Sequence, residues 1–356
     1  MRYFAILIGM VVLLSCRQQK PTVVIEESLG GISTDSFGKD KLSSYGFFKG
    51  QLRDLDPAEG VIAYELNSPL FSDYAYKKRF IKLPRYSSAT YHADDVLEFP
   101  DGTILIKTFY YPMDFREPEK NLRLLETRLL IRENNEWIAL PYLWNEDQTE
   151  AFLDVAGGSM EVSWIQTDGT RKQLLYSVPN LNQCAGCHIR GDKIMPIGPT
   201  ARQLNLTQGE TDNQLQQWSK LGFLTGLPPM HQVPKLVAYD DENAPIDLRA
   251  RAWLEVNCAH CHRPDGPART SGLHLMADVT KNYELGIGKA PVAAGRGSGG
   301  LDYDIVPGEP DKSILFYRIQ SQDPGVMMPE LGKKLVHTEG VELVREWIAK
   351  LKTDGV

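Results

Sequence analysis

Thr103-Ile-Leu-Ile-Lys-Thr-Phe109, Thr127-Arg-Leu-Leu-Ile-Arg132 and Trp137-Ile-Ala-Leu-Pro-Tyr142 fall between residues 103 and 142, and the turn sequence Pro100-Asp-Gly102 precedes them. Met160-Glu-Val-Ser-Trp-Ile165 and Gln173-Leu-Leu-Tyr-Ser177 follow, separated by Thr167-Asp-Gly-Thr170. Short runs rich in β-branched and aromatic residues, spaced by turns about every 10–15 residues, predict antiparallel strands in a sandwich or barrel-like domain. Aromatic side chains are dense across it, from Tyr64, Phe71, Tyr74, Tyr76 and Phe80 to Phe109, Tyr110 and Tyr111, and most of them read as core. His92, Asp94 and Asp95 read as a solvated turn rather than a metal site.

Beyond this stretch the cysteines decide the chemistry. Four of the five lie in Cys184-Ala-Gly-Cys187-His188 and Cys258-Ala-His-Cys261-His262, both of the pattern C-x-x-C-H. Two thiols three positions apart can add to the two vinyl groups of one haem. The adjacent histidine then lies beneath the iron and offers an imidazole nitrogen as proximal ligand. With 5 Cys and 7 His in 356 residues, one chance match is expected roughly 0.001 times. A pair of disulfides would not require a histidine after each second cysteine. A zinc ribbon keeps about 15–20 residues between its pairs, far fewer than separate Cys187 from Cys258. Two covalently bound haem c groups are the expectation, held by Cys184, Cys187 and His188 and by Cys258, Cys261 and His262.

A six-coordinate electron-transfer haem takes a second axial ligand, usually Met or His. Met327-Met328-Pro329-Glu330-Leu331-Gly332 precedes a C-terminal helix with Thr338 as its expected N-cap and an apolar stripe of Val341, Val344, Trp347, Ile348 and Leu351. That order resembles class I cytochrome c domains and points to Met328 as the second haem's sixth ligand, with Met327 the substitute. For the first haem Met230 ranks first, beyond the helix expected over 213–223, then Met195, then His231. An open iron is the alternative. His260, inside the second motif, reads as a surface residue.

At the other end, Met1 to Cys16 reads MRYFAILIGMVVLLSC: one basic residue, an apolar run from Phe4 to Leu14, then Ser15 and Cys16. About 11 apolar residues are too few to span a bilayer as a helix and suit a secretory signal. Leu13-Leu14-Ser15-Cys16 resembles a bacterial lipobox, which makes Cys16 the expected lipidation site and membrane anchor. Arg17 after it favours the outer membrane over inner-membrane retention. Residues 17–36 read as a tether. The formal net charge of −7 makes the chain a poor partner for nucleic acid.

Within the remaining chain a helix over 245–256 leads into the second motif and another spans 311–319. Gly295-Arg-Gly-Ser-Gly-Gly300 matches G-x-G-x-x-G formally, yet no strand leads into it and no helix starts from it, so it reads as a loop. No nucleophile arrangement for hydrolysis is legible.

The chain resembles a family of exported dihaem c-type cytochromes of uncharacterised role. The stretches that carry the likeness are Asn67-Ser-Pro-Leu-Phe-Ser-Asp-Tyr-Ala75, Phe99-Pro-Asp-Gly-Thr103, Trp144-Asn-Glu-Asp-Gln-Thr149, Val178-Pro-Asn-Leu-Asn-Gln-Cys184, Pro196-Ile-Gly-Pro199, Asn257-Cys-Ala-His-Cys-His262 and Gly266-Pro-Ala-Arg-Thr-Ser-Gly272. The resemblance implies two haems and names no substrate. The expected architecture is multidomain α+β: an antiparallel β-rich, sandwich-like domain over 37–178, then two mainly α-helical cytochrome c-like haem regions over 179–241 and 242–356. The expected function is single-electron transfer in the cell envelope between redox partner proteins. The alternatives are a dihaem peroxidase or oxidase with one open iron, and an electron-accepting subunit of a periplasmic dehydrogenase.

Overall fold

The computed structural model describes residues 38–207 and 212–352, so the expected signal segment and Cys16 lie outside the described residues. Strands β1 (Val61–Ala63), β2 (Tyr76–Lys82), β3 (Ile104–Pro112), β4 (Leu122–Glu133), β5 (Glu136–Trp144) and β6 (Ala151–Leu153) form one six-stranded sheet. Each pairs antiparallel with its chain neighbour, in an up-and-down meander. Strands β7 (Gly158–Ile165) and β8 (Arg171–Val178) pair only with each other. The expected sandwich is therefore one sheet and a separate hairpin.

Register explains the sheet's two faces, because alternate residues point to opposite sides. Phe80, Ile106, Leu129 and Leu140 stand side by side across β2 to β5 and anchor one buried cluster with Leu42, Phe47 and Tyr142. The other face carries two apolar clusters. Ile81, Leu105 and Leu130 pack with Trp137, Leu204 and Trp218 at one end; Phe109, Leu125 and Leu143 pack with Trp164 and Tyr176 at the other. Helix α1 (Leu181–His188) packs on β5.

The expectation of two mainly helical haem regions is overturned. Among the described residues strands and bridges take 26% and helix, 3₁₀ turns included, 23%, and only four of the six α-helices run seven residues or more. Besides α1 the six are α2 (Ala201–Leu204), α3 (Gln214–Lys220), α4 (Ile246–Cys258), α5 (Ile314–Ile319) and α6 (Thr338–Lys350). The reason is composition. Of the 47 residues from 264 to 310, 14 are Gly or Pro, which either cost helix stability or end a helix outright. That stretch is loop punctuated by single 3₁₀ turns, one of them Gly295–Ser298. Helix α6 starts one residue earlier than expected: His337 is its N-cap, and Thr338 is the first helical residue.

The described residues from Lys39 onward pack as one unit, and the stretch Asn67–Ala75 ties its parts together. Asn67 Nδ2 donates to the carbonyls of Arg202 and Asn205, each at 3.1 Å. Phe71 N donates to Asn257 Oδ1 at 2.9 Å, and Asp73 Oδ1 accepts from Lys334 N and Leu335 N, both at 2.7 Å. Phe71 also stacks on the His337 ring at 4.4 Å, while Trp253 Nε1 donates to His337 Nδ1 at 2.8 Å. Helices α4 and α6, with Phe316, Ile287 and Ile305, close a further core around Cys258.

Candidate functional site

Helix α1 is short and held by its first turn. Asn180 Oδ1 accepts from Gln183 N at 2.9 Å and Gln183 Oε1 accepts from Asn180 N at 3.0 Å, a reciprocal cap. Three-residue spacing then sets Cys184 and Cys187 on one side of the helix, with His188 as its last residue. The second motif begins where α4 ends: Cys258 is its final residue, and Cys261 N and His262 N both donate to Cys258 O, at 3.1 and 2.9 Å.

Each motif histidine has one ring nitrogen engaged. His188 Nδ1 lies 2.8 Å from Met195 O, and Met195 N donates to His188 O at 2.8 Å. A carbonyl only accepts, so Nδ1 carries the proton and Nε2 keeps its lone pair. His262 Nδ1 lies 3.2 Å from Ser271 Oγ, whose own hydrogen is donated to Ala268 O at 2.7 Å, and the same tautomer follows. Burial pushes both imidazoles down to about 4, which keeps them neutral and able to ligate. Burial also raises the thiols, Cys258 and Cys261 to about 12. The four motif cysteines form no disulfide with one another, and among the described residues no group of three or more His, Cys, Asp or Glu gathers as a metal site.

A cavity of about 470 Å³ opens on the second motif, within the roughly 300–1,000 Å³ of cofactor and ligand pockets. Cys258, Cys261 and His262 line it together with Met328, while apolar Leu275, Leu285, Ile305 and Ile319 wall it. Met327, the substitute, is buried and does not line it. Arg318 holds the methionine loop: its carbonyl accepts from Met328 N at 3.1 Å, and its Nε donates to Val326 O at 2.8 Å. The glycines of residues 295–300 serve this clasp. A Cβ on Gly297 would come within 2.9 Å of the Arg318 guanidinium, and one on Gly299, at φ +60°, within 2.7 Å of Tyr317.

The first motif faces a second cavity of about 240 Å³, lined by Cys187, His188, Met195, Met276 and His260. This is below the common pocket range, so the fit there rests on the donor set rather than on volume. Two ion-pair groups frame it. Arg190 reaches Asp95 at 2.6 Å and Asp265 at 2.8 Å; Arg202 reaches Glu255 at 3.0 Å and Asp278 at 2.8 Å. Asp95 is thus a partner of Arg190 rather than part of a solvated turn. Met230 sits in a 3₁₀ turn packed against the apolar cluster of Tyr64, Leu97 and Trp218, outside both cavities, and His231 is exposed.

The two motifs meet. Cys187 and His260 line both cavities, and Gly186 lies against the methionine loop, where a Cβ would come 3.1 Å from Leu331 Cδ1. His260 is therefore not the surface residue the sequence suggested. It stands between the sites, with a buried Nδ1 that has no partner among the described residues. Sequence reading also passed over Arg190, Arg202 and Met276. The only local signal was the place of Arg190 two residues after His188. No family model, curated protein or solved structure matches the chain.

Proposed function

We propose that the protein is a dihaem c-type cytochrome that moves single electrons in the cell envelope, anchored through a lipidated Cys16. One observation supports this above the rest: two C-x-x-C-H motifs from distant parts of the chain converge so that Cys187 and His260 border both cavities. Haem supplies the one-electron chemistry. The chain's own residues do the rest. His188 and His262 present Nε2 because Met195 O and Ser271 Oγ hold Nδ1, and such outer partners fix ring orientation and ligand basicity. Met328 lies on the wall of the second motif's 470 Å³ cavity with His262, where thioether ligation would raise the potential. Redox partner proteins would supply and remove the electrons. Among the described residues no helix is long and apolar enough to cross a membrane, so the proposed attachment is the lipid on Cys16.

A second reading keeps an open first iron and a peroxidase- or oxidase-like reaction. It draws on the charged residues around the first motif's 240 Å³ cavity and on Met230 lying outside it. Optical and EPR spectra of the purified protein, with and without carbon monoxide and peroxide, separate the two. Two low-spin haems that ignore both reagents support the carrier. A high-spin iron that binds carbon monoxide and reacts with peroxide supports the enzyme.

A further inference from the structure

Between the two apolar clusters on the α1 side of the sheet runs a row of like charges. Arg79 on β2 stands opposite Lys107 on β3, and Lys107 opposite Arg128 on β4; Pro141 on β5 completes the row. Like charges directly opposite one another across strands destabilise a sheet. A chain that keeps three in register breaks a local rule, and such breaks mark functional sites. The flanking charges have partners: Arg79 lies 3.5 Å from Glu65, and Arg128 lies 2.5 Å from Glu126. Lys107, in the middle, has no hydrogen bond and no ion pair among the described residues. Its ammonium lies over the Phe109 ring at 4.8 Å, a ring that Arg128 also covers at 4.3 Å. Lys77, two positions along β2 on the same face, donates to Leu70 O and adds a fourth cation. Arg79 is buried, and Lys107 and Arg128 are half-covered, so the row is poorly placed to receive an outside partner.

What it faces is the first motif. Helix α1, which carries the first motif, and the short strand Lys193–Ile194 pack on β5, the strand next to Arg128 in the row. We infer that the row Arg79–Lys107–Arg128 is an electrostatic element that favours reduction of the first haem, with Lys107 as its adjustable member. Reduction adds one electron from the donor protein and converts ferric to ferrous iron, so positive charge nearby stabilises the product. Burial and the neighbouring cations push Lys107 well below the usual lysine range. By linkage, negative charge gained at the iron and a proton held on Lys107 favour each other. This rests on the dihaem reading and deepens it.

The test is a pair of variants, Lys107→Met and Lys107→Arg, in the haem-loaded protein. Each midpoint potential is followed by spectroelectrochemistry, and the second haem is identified by its response to Met328→Ala. In Lys107→Met the first haem's potential falls and the second's holds. Lys107→Arg keeps the first near its original value, and Lys107→Met is at least as resistant to urea as the parent, since like-charge repulsion is gone. Both potentials unmoved in Lys107→Met, or both falling together, would overturn the inference. Should Lys107→Met fail to accumulate, Lys77→Gln gives a second test: a fall confined to the first haem supports the row, and no change counts against it. The mass of the parent chain is read first, and a chain without two haems sinks the dihaem reading, a result distinct from either failure above.

Discussion

At Gly266 a Cβ would lie 2.3 Å from the carbonyl oxygen of Cys261, so the turn after the second motif closes only around a residue without a side chain. Gly266→Ala is expected to cost about 1–3 kcal/mol, the range for overpacking. It should appear as a lower urea midpoint and a lower yield of chain carrying the second haem. Met328 is the other decisive residue. Met328→Ala should leave both haems covalently attached but turn one of them high-spin, open it to carbon monoxide and lower its potential. An unchanged low-spin spectrum would move the ligand elsewhere. Met327→Ala, altering a residue off the cavity wall, should change neither spin state. The motif cysteines and histidines were legible as single residues because C-x-x-C-H is a local pattern. His260 was not, since nothing within its own motif says that the first motif lies beside it.

At the scale of elements, α1 depends on its cap more than most helices, because eight residues make a marginal helix without tertiary support. Asn180→Ala removes one half of a reciprocal pair and should cost about 1 kcal/mol, measured as a shift in the urea midpoint at unchanged slope. The strands were readable from alternation: the segments read at 127–132 and 137–142 lie inside β4 and β5, and that at 103–109 lies in β3 but for Thr103. Their pairing partners and covered faces were not readable. Lys107 and Arg128, taken singly, are what a solvent-facing strand position carries; only register sets them side by side beneath α1. The helical expectation for residues 242–356 failed for a visible reason, since the Gly and Pro density of 264–310 was in the sequence but a likeness to cytochrome c domains outweighed it.

The whole molecule is held across its regions by the stretch Asn67–Ala75 and by His337, which is 7% exposed, stacked on Phe71 and bonded to Trp253. Burial pushes His337 down to about 4, with Glu339 opposing and Lys77 and Lys333 adding to the shift. The unfolded chain, at about 6.5, therefore takes up this proton first. Stability from His337 is fully present above about pH 6.5, falls as the pH drops toward 4, and is lost below that. The span of about 2.5 units bounds the effect at about 3 kcal/mol. Urea melts between pH 4 and 7.5 should show this slope, and His337→Gln should flatten part of it. A slope identical in parent and variant would remove His337 from the account.

The central claim, that both motifs carry haem at one junction, is tested most directly by the intact mass of the chain purified from a host that attaches haem c, with the haem chromophore quantified per polypeptide. The account predicts two covalently bound haems on every mature chain, one lost when Cys184 and Cys187 are both changed to Ala and the other when Cys258 and Cys261 are. A mass equal to the bare polypeptide, or a single haem that survives loss of either cysteine pair, would contradict it.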